Sequence, residues 1–341
     1  MRKEDFVLTD FLLIQKMKQG NEQAFDTFVR KYYNEILKYC SYHCYDTEYA
    51  QDLTQETFVN FFAKLSDYHF QGKTNRTKHL KEWLSSDDVK ERYTKQEKEY
   101  LVAKYEEMQT PLYYEYAGAW TSLLYYLPTL IMLITLVGVF LISGIFSDEF
   151  RFKADSVFFS TMYGRNRAIR SKIISGVICI TAIYWISISC FSGIVFGSLG
   201  VDGASCFIQT SSDGWKCFYY ITFLQEFVLT IVGGYIGILF LLILSMLVSA
   251  KMRSSVFAVV VPFVMLLIPS FVADFSVLSK ILGVLPDQLL QISSSINNFN
   301  LYQIGDKVIG AIPILFIVYL TGCFILPPLL YRVYKKSELK S

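Results

Sequence analysis

Polar and apolar positions segregate along this chain at about its first third. Residues up to Met108 are rich in charge, and nearly all the long apolar runs lie beyond Tyr116. Thr121 to Phe146 and Ile173 to Phe196 contain no Asp, Glu, Lys or Arg. Each exceeds the roughly 20 apolar residues that a helix needs to cross a bilayer. Three further runs follow: Ile221 to Ala250, interrupted by Gln225 and Glu226; Val256 to Val272, containing Pro262 and Pro269; and Val308 to Leu330. Each proline removes a ladder hydrogen bond, which predicts a kinked fourth helix. The pattern as a whole predicts about five spans.

Upstream the apolar residues recur at helical spacing instead of in solid runs. Thr9 or Asp10 can cap a short helix through Lys18, with Gly20 at its exit. From Asn21, the residues Phe25, Phe28, Val29, Tyr32, Ile36, Leu37 and Cys40 form one face, opposite Asp26, Arg30, Lys31 and Glu35. Asp46 or Thr47 can cap a third helix, with an apolar stripe of Ala50, Leu53, Phe58, Phe61, Phe62 and Leu65 and an acidic one of Glu48, Asp52 and Glu56. Lys73 to Trp120 then alternates acids and bases around a thin apolar seam, the pattern of a charged helical linker. It ends in Tyr113, Tyr114, Tyr116 and Trp120, aromatic residues of the kind found at membrane–water interfaces. The predicted fold class is all-α: a three-helix domain over residues 1–72, a charged helical linker or outer loop over 73–120, and a polytopic membrane domain over 121–341.

Composition agrees, with 53% hydrophobic and 16% aromatic residues and a mean hydropathy of +0.35. The net charge of +2 is too small to argue for nucleic acid. Charge placement gives the orientation. Arg151, Lys153, Arg165, Arg167, Arg170 and Lys172 lie between the first two spans, so that loop is expected in the cytoplasm. The next loop carries only Lys216 and is expected outside; Lys251 and Arg253 return inside, as do Arg332, Lys335 and Lys336. The alternation predicts a multi-pass protein of a bacterial plasma membrane, in contact with the lipid bilayer and with Trp120 on the outer side. The first twenty residues hold a short apolar patch broken by Asp10 and Gln15, which does not fit a signal peptide.

Candidate chemistry is sparse. The seven cysteines lack paired metal or redox spacing, and Cys40, His43 and Cys44 offer three ligands in a helical pattern, which favours packing over a metal. No metal or other cofactor is implied. Cys206 and Cys217 share the outer loop, where a disulfide could persist. Glu226 is an acid within a span, a costly placement that marks functional residues, but its position near the outer mouth favours contact with water or headgroups. Gly72-Lys73-Thr74 imitates the end of a phosphate-binding loop, yet Asp67 stands where glycine is required. The chain is therefore not expected to be an enzyme, and any ATP chemistry must come from another subunit.

The run LIQKMKQGNEQAFDTFVRKYYNEILKYC, followed by DTEYAQDLTQETFVNFFAKLSDY, resembles region 2 of the extracytoplasmic-function branch of sigma-70 factors. In that family the acidic helix docks on the clamp coiled coil of RNA polymerase, which would give this role to Asp52, Gln55, Glu56 and Phe58. The resemblance stops before the helix that reads the promoter −10 element, where this chain gives HFQGKTNRTKHLK, and no second helix-turn-helix domain follows. Specific DNA binding is therefore not expected, since phosphate contacts alone choose no promoter.

Tyr113 to Trp120, the first span, Phe146-Ser147-Asp148-Glu149 and then SVFFSTMYGRNRAIRSKI are similar to ABC-2 type permeases. In that family this region is a cytoplasmic helix transmitting ATPase motion, which would assign coupling to Asp148, Glu149, Tyr163, Gly164 and Arg165 and require an ABC ATPase in trans. Such permeases usually have six spans, and the missing first one lies where the sigma-like piece sits. Three readings stay open: a transporter permease carrying a truncated sigma-like domain, a membrane-associated transcription initiation protein that binds RNA polymerase, and a non-functional gene fusion.

Overall fold

The structure is a computed structural model and describes residues 13–44, 46–65, 73–86, 89, 92–108, 112, 115–153, 167–211, 214, 216–272, 279–305 and 307–337. The chain forms two compact units, residues 1–85 with 105–113, and residues 86–104 with 114–341. The predicted linker is thus shared between the two.

In the first unit, residues 13–18 are helical and Gly20 leaves them with φ +81°. Helices α1 (Glu22–His43) and α2 (Thr47–Ala63) follow. Both are capped at their starts, Asp46 being one of the two caps expected for the second: the side chain of Asn21 accepts from the Ala24 N–H at 3.1 Å, and that of Asp46 from the Glu48 N–H at 2.9 Å. Between them Met17, Ala24 and Leu65 are buried with Phe25, Phe28, Phe61 and Phe62 packed around them. Phe28 stacks on Phe61 with centroids 5.0 Å apart, and Phe25 meets Phe62 edge-on. Helix α3 (Lys73–Ser85) is tied to residues beyond 104 by Lys81, whose Nζ lies 3.3 Å from Glu106.

The second unit begins with residues 95–104 of α4 (Lys95–Glu107), entered through a reciprocal cap in which Thr94 and Glu97 exchange hydrogen bonds. Among the described residues, four helices are long and apolar enough to cross a membrane: α5 (Gly118–Ile142), α7 (Arg167–Leu199), α8 (Phe223–Met252) and the apolar part of α13 (Ala311–Ser337). The four-residue α6 (Asp148–Arg151) follows α5. The fourth expected span, Val256–Val272, is instead a shorter apolar helix within α9 (Ser255–Val272). At about 1.5 Å per residue, its 18 residues fall just short of a roughly 30 Å hydrocarbon core.

Helix α9 runs back along α8, with Ser245 Oγ donating to the Ala258 carbonyl at 2.8 Å. What then follows is not the expected loop. Short helices α10 (Ser279–Leu282), α11 (Pro286–Leu290) and α12 (Ile292–Ser295) lead into a hairpin, β1 (Leu301–Ile304) antiparallel to β2 (Lys307–Gly310), with Leu301 opposite Gly310. The last long helix accordingly starts at Ala311 and not at Val308.

The core lies along α8. Its Gly233, Gly234 and Gly237 leave no room for side chains: a Cβ would come within 2.1 Å of Ile292, 2.8 Å of Ile131 and of the Tyr184 hydroxyl, and 2.7 Å of Leu290. Close backbone approach is the usual way for helices to associate in lipid, where apolar burial alone drives nothing. Trp120 departs from its expected interfacial place. It is buried against Phe196 and Phe227, and its indole N–H donates to the Val201 carbonyl at 3.1 Å. The turn it holds requires glycine at 203, where φ is +85° and a Cβ would lie 2.6 Å from that of Ala117. Cys206 and Cys217 are not joined to each other. Both are buried, with Cys206 Sγ 3.8 Å from the Glu115 carbonyl and Cys217 Sγ 3.5 Å from that of Ile296.

Candidate coupling cluster, acidic face and outer cavity

The acidic face on α2 follows directly from helical spacing. Ala50, Thr54 and Phe58 turn inward, which leaves Asp52, Gln55 and Glu56 exposed together on the other side. Phe58 is 6% exposed and lies parallel to Tyr33; it supports this face from beneath. Tyr49 and Val59 are well exposed beside the three polar residues, so the face combines negative charge with apolar area.

At one end of the unit, the ends of the long helices meet around Glu149. Its carboxylate pairs with Lys172 at the start of α7 and accepts from the hydroxyl of Tyr334 near the end of α13. Lys172 also donates to the Ile145 carbonyl at 2.7 Å and lies over the ring of Phe146. Phe146 and Tyr334 are fully buried edge to face at 4.9 Å. Helix α8 joins through Arg253, which ends it in the left-handed region at φ 54° and places its guanidinium 4.5 Å from the Phe150 ring centre. Ser249 Oγ donates to the Ser143 carbonyl at 2.7 Å. The cluster thus ties α5, α6, α7, α8 and α13 at one end. Asp148 is half-buried over Gly144, while Tyr163, Gly164 and Arg165 lie outside the described residues. Lys172 and Tyr334 were not anticipated as partners of Glu149, nor Arg253 as a neighbour of Phe150, because the contacts join residues up to 185 positions apart.

At the opposite end, Thr222 and Gln225 form a capping box that starts α8, and Glu226 follows one residue later. Glu226, expected within reach of water or headgroups, is 6% exposed: α11 and α12 fold over it, and the side it leaves open borders a cavity. The Ser293 hydroxyl bonds its carboxylate and lies 3.2 Å from Thr230 Oγ1. Beside them is a cavity of about 560 Å³ reached by Tyr125, Tyr126, Gln291 and Asn297. Asp287, on α11, is 3% exposed with Oδ2 accepting from Gln288 at 2.7 Å and Oδ1 lacking a partner. Burial pushes its carboxyl up to about 6. Residues 86–104 belong to this same end: Glu97 is buried and pairs with Lys280 at 3.0 Å, and Tyr100 meets Phe218 edge-on.

A segment of the chain is similar to a sigma factor. Over 59 residues it is 32% identical to the RNA polymerase sigma-H factor of Pseudomonas aeruginosa, covering 17% of this chain and 31% of that protein. The chain therefore spans about a third of the length of this curated relative. No family model matches the chain, and no solved structure does. The sigma-like segment and a membrane domain with four spanning-length helices coexist in one chain.

Proposed function

We propose that the chain is a membrane permease subunit of an ABC-type transporter, carrying a truncated sigma-like domain ahead of its spans and driven by a separate ATPase. The observation that carries this reading is the Glu149 cluster. A short helix directly after the first span is pinned to the ends of three other long helices by one ion pair, one tyrosine and one arginine. A subunit pushing on α6 and the basic segment after it would thereby move every long helix at once. The test is a Tyr163→Cys variant in native membranes: crosslinking is expected to capture an ATPase subunit. Hydrolysis of ATP by the purified chain alone would contradict the reading.

The second reading, a membrane-associated transcription initiation protein, rests on the sigma-H similarity and on the exposed Asp52, Gln55 and Glu56. It is tested by mixing the full chain, and its Asp52→Arg variant, with core RNA polymerase. Capture by the wild type and loss in the variant would favour it, and equal capture or none would remove it. Promoter-specific transcription is expected in neither case.

A further inference from the structure

We propose that the cavity beside Glu226 binds a primary ammonium group carried on an apolar body and presented from the outer face of the membrane. The inference needs neither the ATPase nor RNA polymerase and stands apart from both functional readings.

The site is short of donors. Glu226 is almost wholly buried, and among the described residues lining the cavity there is no Lys, Arg or His. The carboxylate can accept about four hydrogen bonds and receives one, from Ser293. Asn297 also lines the cavity, and its Oδ1 is a second buried acceptor with no partner. A primary ammonium brings three donors, no acceptor and the charge that Glu226 lacks. One carboxylate with neutral hydroxyls and amides is too poor in anionic oxygen for a divalent metal. The walls suit an apolar body: Leu124, Pro128 and Phe223 contribute, and the exposed Tyr125 and Tyr126 stand at the mouth. These tyrosines lie in the half of α5 nearer its start, and tyrosine is a residue that favours the membrane–water interface. The ammonium can therefore come from an aminophospholipid headgroup or from a soluble alkylamine.

Purified full-length chain in detergent is titrated with two matched pairs, and retention is read by native mass spectrometry. The pairs are phosphatidylethanolamine against phosphatidylcholine of the same acyl chains, whose quaternary nitrogen has no N–H, and decylamine against decanol. Preference for the ammonium member by roughly tenfold or more is expected, lost in Glu226→Gln and reduced in Asn297→Ser. Preference in the lipid pair identifies a headgroup site, and preference in the soluble pair alone identifies a site for free amines. Equal retention within both pairs by the wild type overturns the proposal, as does a preference that survives in a Glu226→Gln protein with wild-type melting. The wild-type comparison is decisive even where a variant fails to fold.

Discussion

Replacing Lys172 by Met removes the only full positive charge paired with Glu149 among the described residues. The two side chains are 15% and 21% exposed, so solvent screens the pair poorly. Taking one partner from a largely buried ion pair costs about 3–5 kcal/mol, most of it from the charge left behind. Replacing both, as Glu149→Gln with Lys172→Met, leaves no stranded charge, and the Tyr334 hydroxyl can still donate to the glutamine oxygen. That loss should be about 1 kcal/mol. The double variant is therefore expected to be more stable than Lys172→Met alone by roughly 2–4 kcal/mol, a non-additivity that marks direct coupling. Purified proteins are unfolded with SDS in mixed micelles, and tryptophan fluorescence gives the midpoints of the four corners of the cycle. Additive costs, with the double variant the least stable, would refute the reasoning and leave Glu149 an ordinary surface acid.

Asp287 should make stability fall as pH rises from about 4 to 6, because the folded chain keeps there a proton that the unfolded chain releases. A carboxyl raised from 3.8 to about 6 corresponds to roughly 3 kcal/mol, and Asp287→Asn should be more stable than wild type at pH 7 but equal at pH 4 in thermal melts. Gly234→Leu should lower the melting point through overpacking of about 1–3 kcal/mol, since the fully buried Ile131 and Tyr184 both occupy the space; unchanged melting would show that this face is looser than the geometry allows. In single-cysteine variants, membrane-impermeant thiol reagents are expected to label Ser85→Cys from outside and not Ser160→Cys, and the reverse result would invert the topology.

Short-range chemistry made much of this legible in advance. Asn21 and Asp46 are recognisable caps because a side-chain oxygen two or three residues from a backbone N–H needs no tertiary help, and four spans are evident from uncharged length alone. The short helices and hairpin over 279–310 were not anticipated, because Ile292, Leu289 and Leu290 pack against glycines more than fifty positions earlier. The burial of Glu226 is likewise set by what covers it. Trp120 matched the aromatic-belt pattern but found a hydrogen bond to Val201, 81 positions away, which periodicity cannot reveal.

The glycine row on α8 has a consequence for biogenesis. During synthesis α8 enters the membrane well before residues 286–296 exist, so Gly233 and Gly237 then face lipid without Ile292, Leu289 and Leu290, and Glu226 lacks Ser293. Until residues 286–296 arrive, this helix carries an acid with no lid and a groove with no filler, both costly in hydrocarbon. A ribosome that stalls before codon 286 would thus release a chain whose central helix is marked for membrane quality control, while the same helix becomes the most sheltered part of the protein once translation finishes.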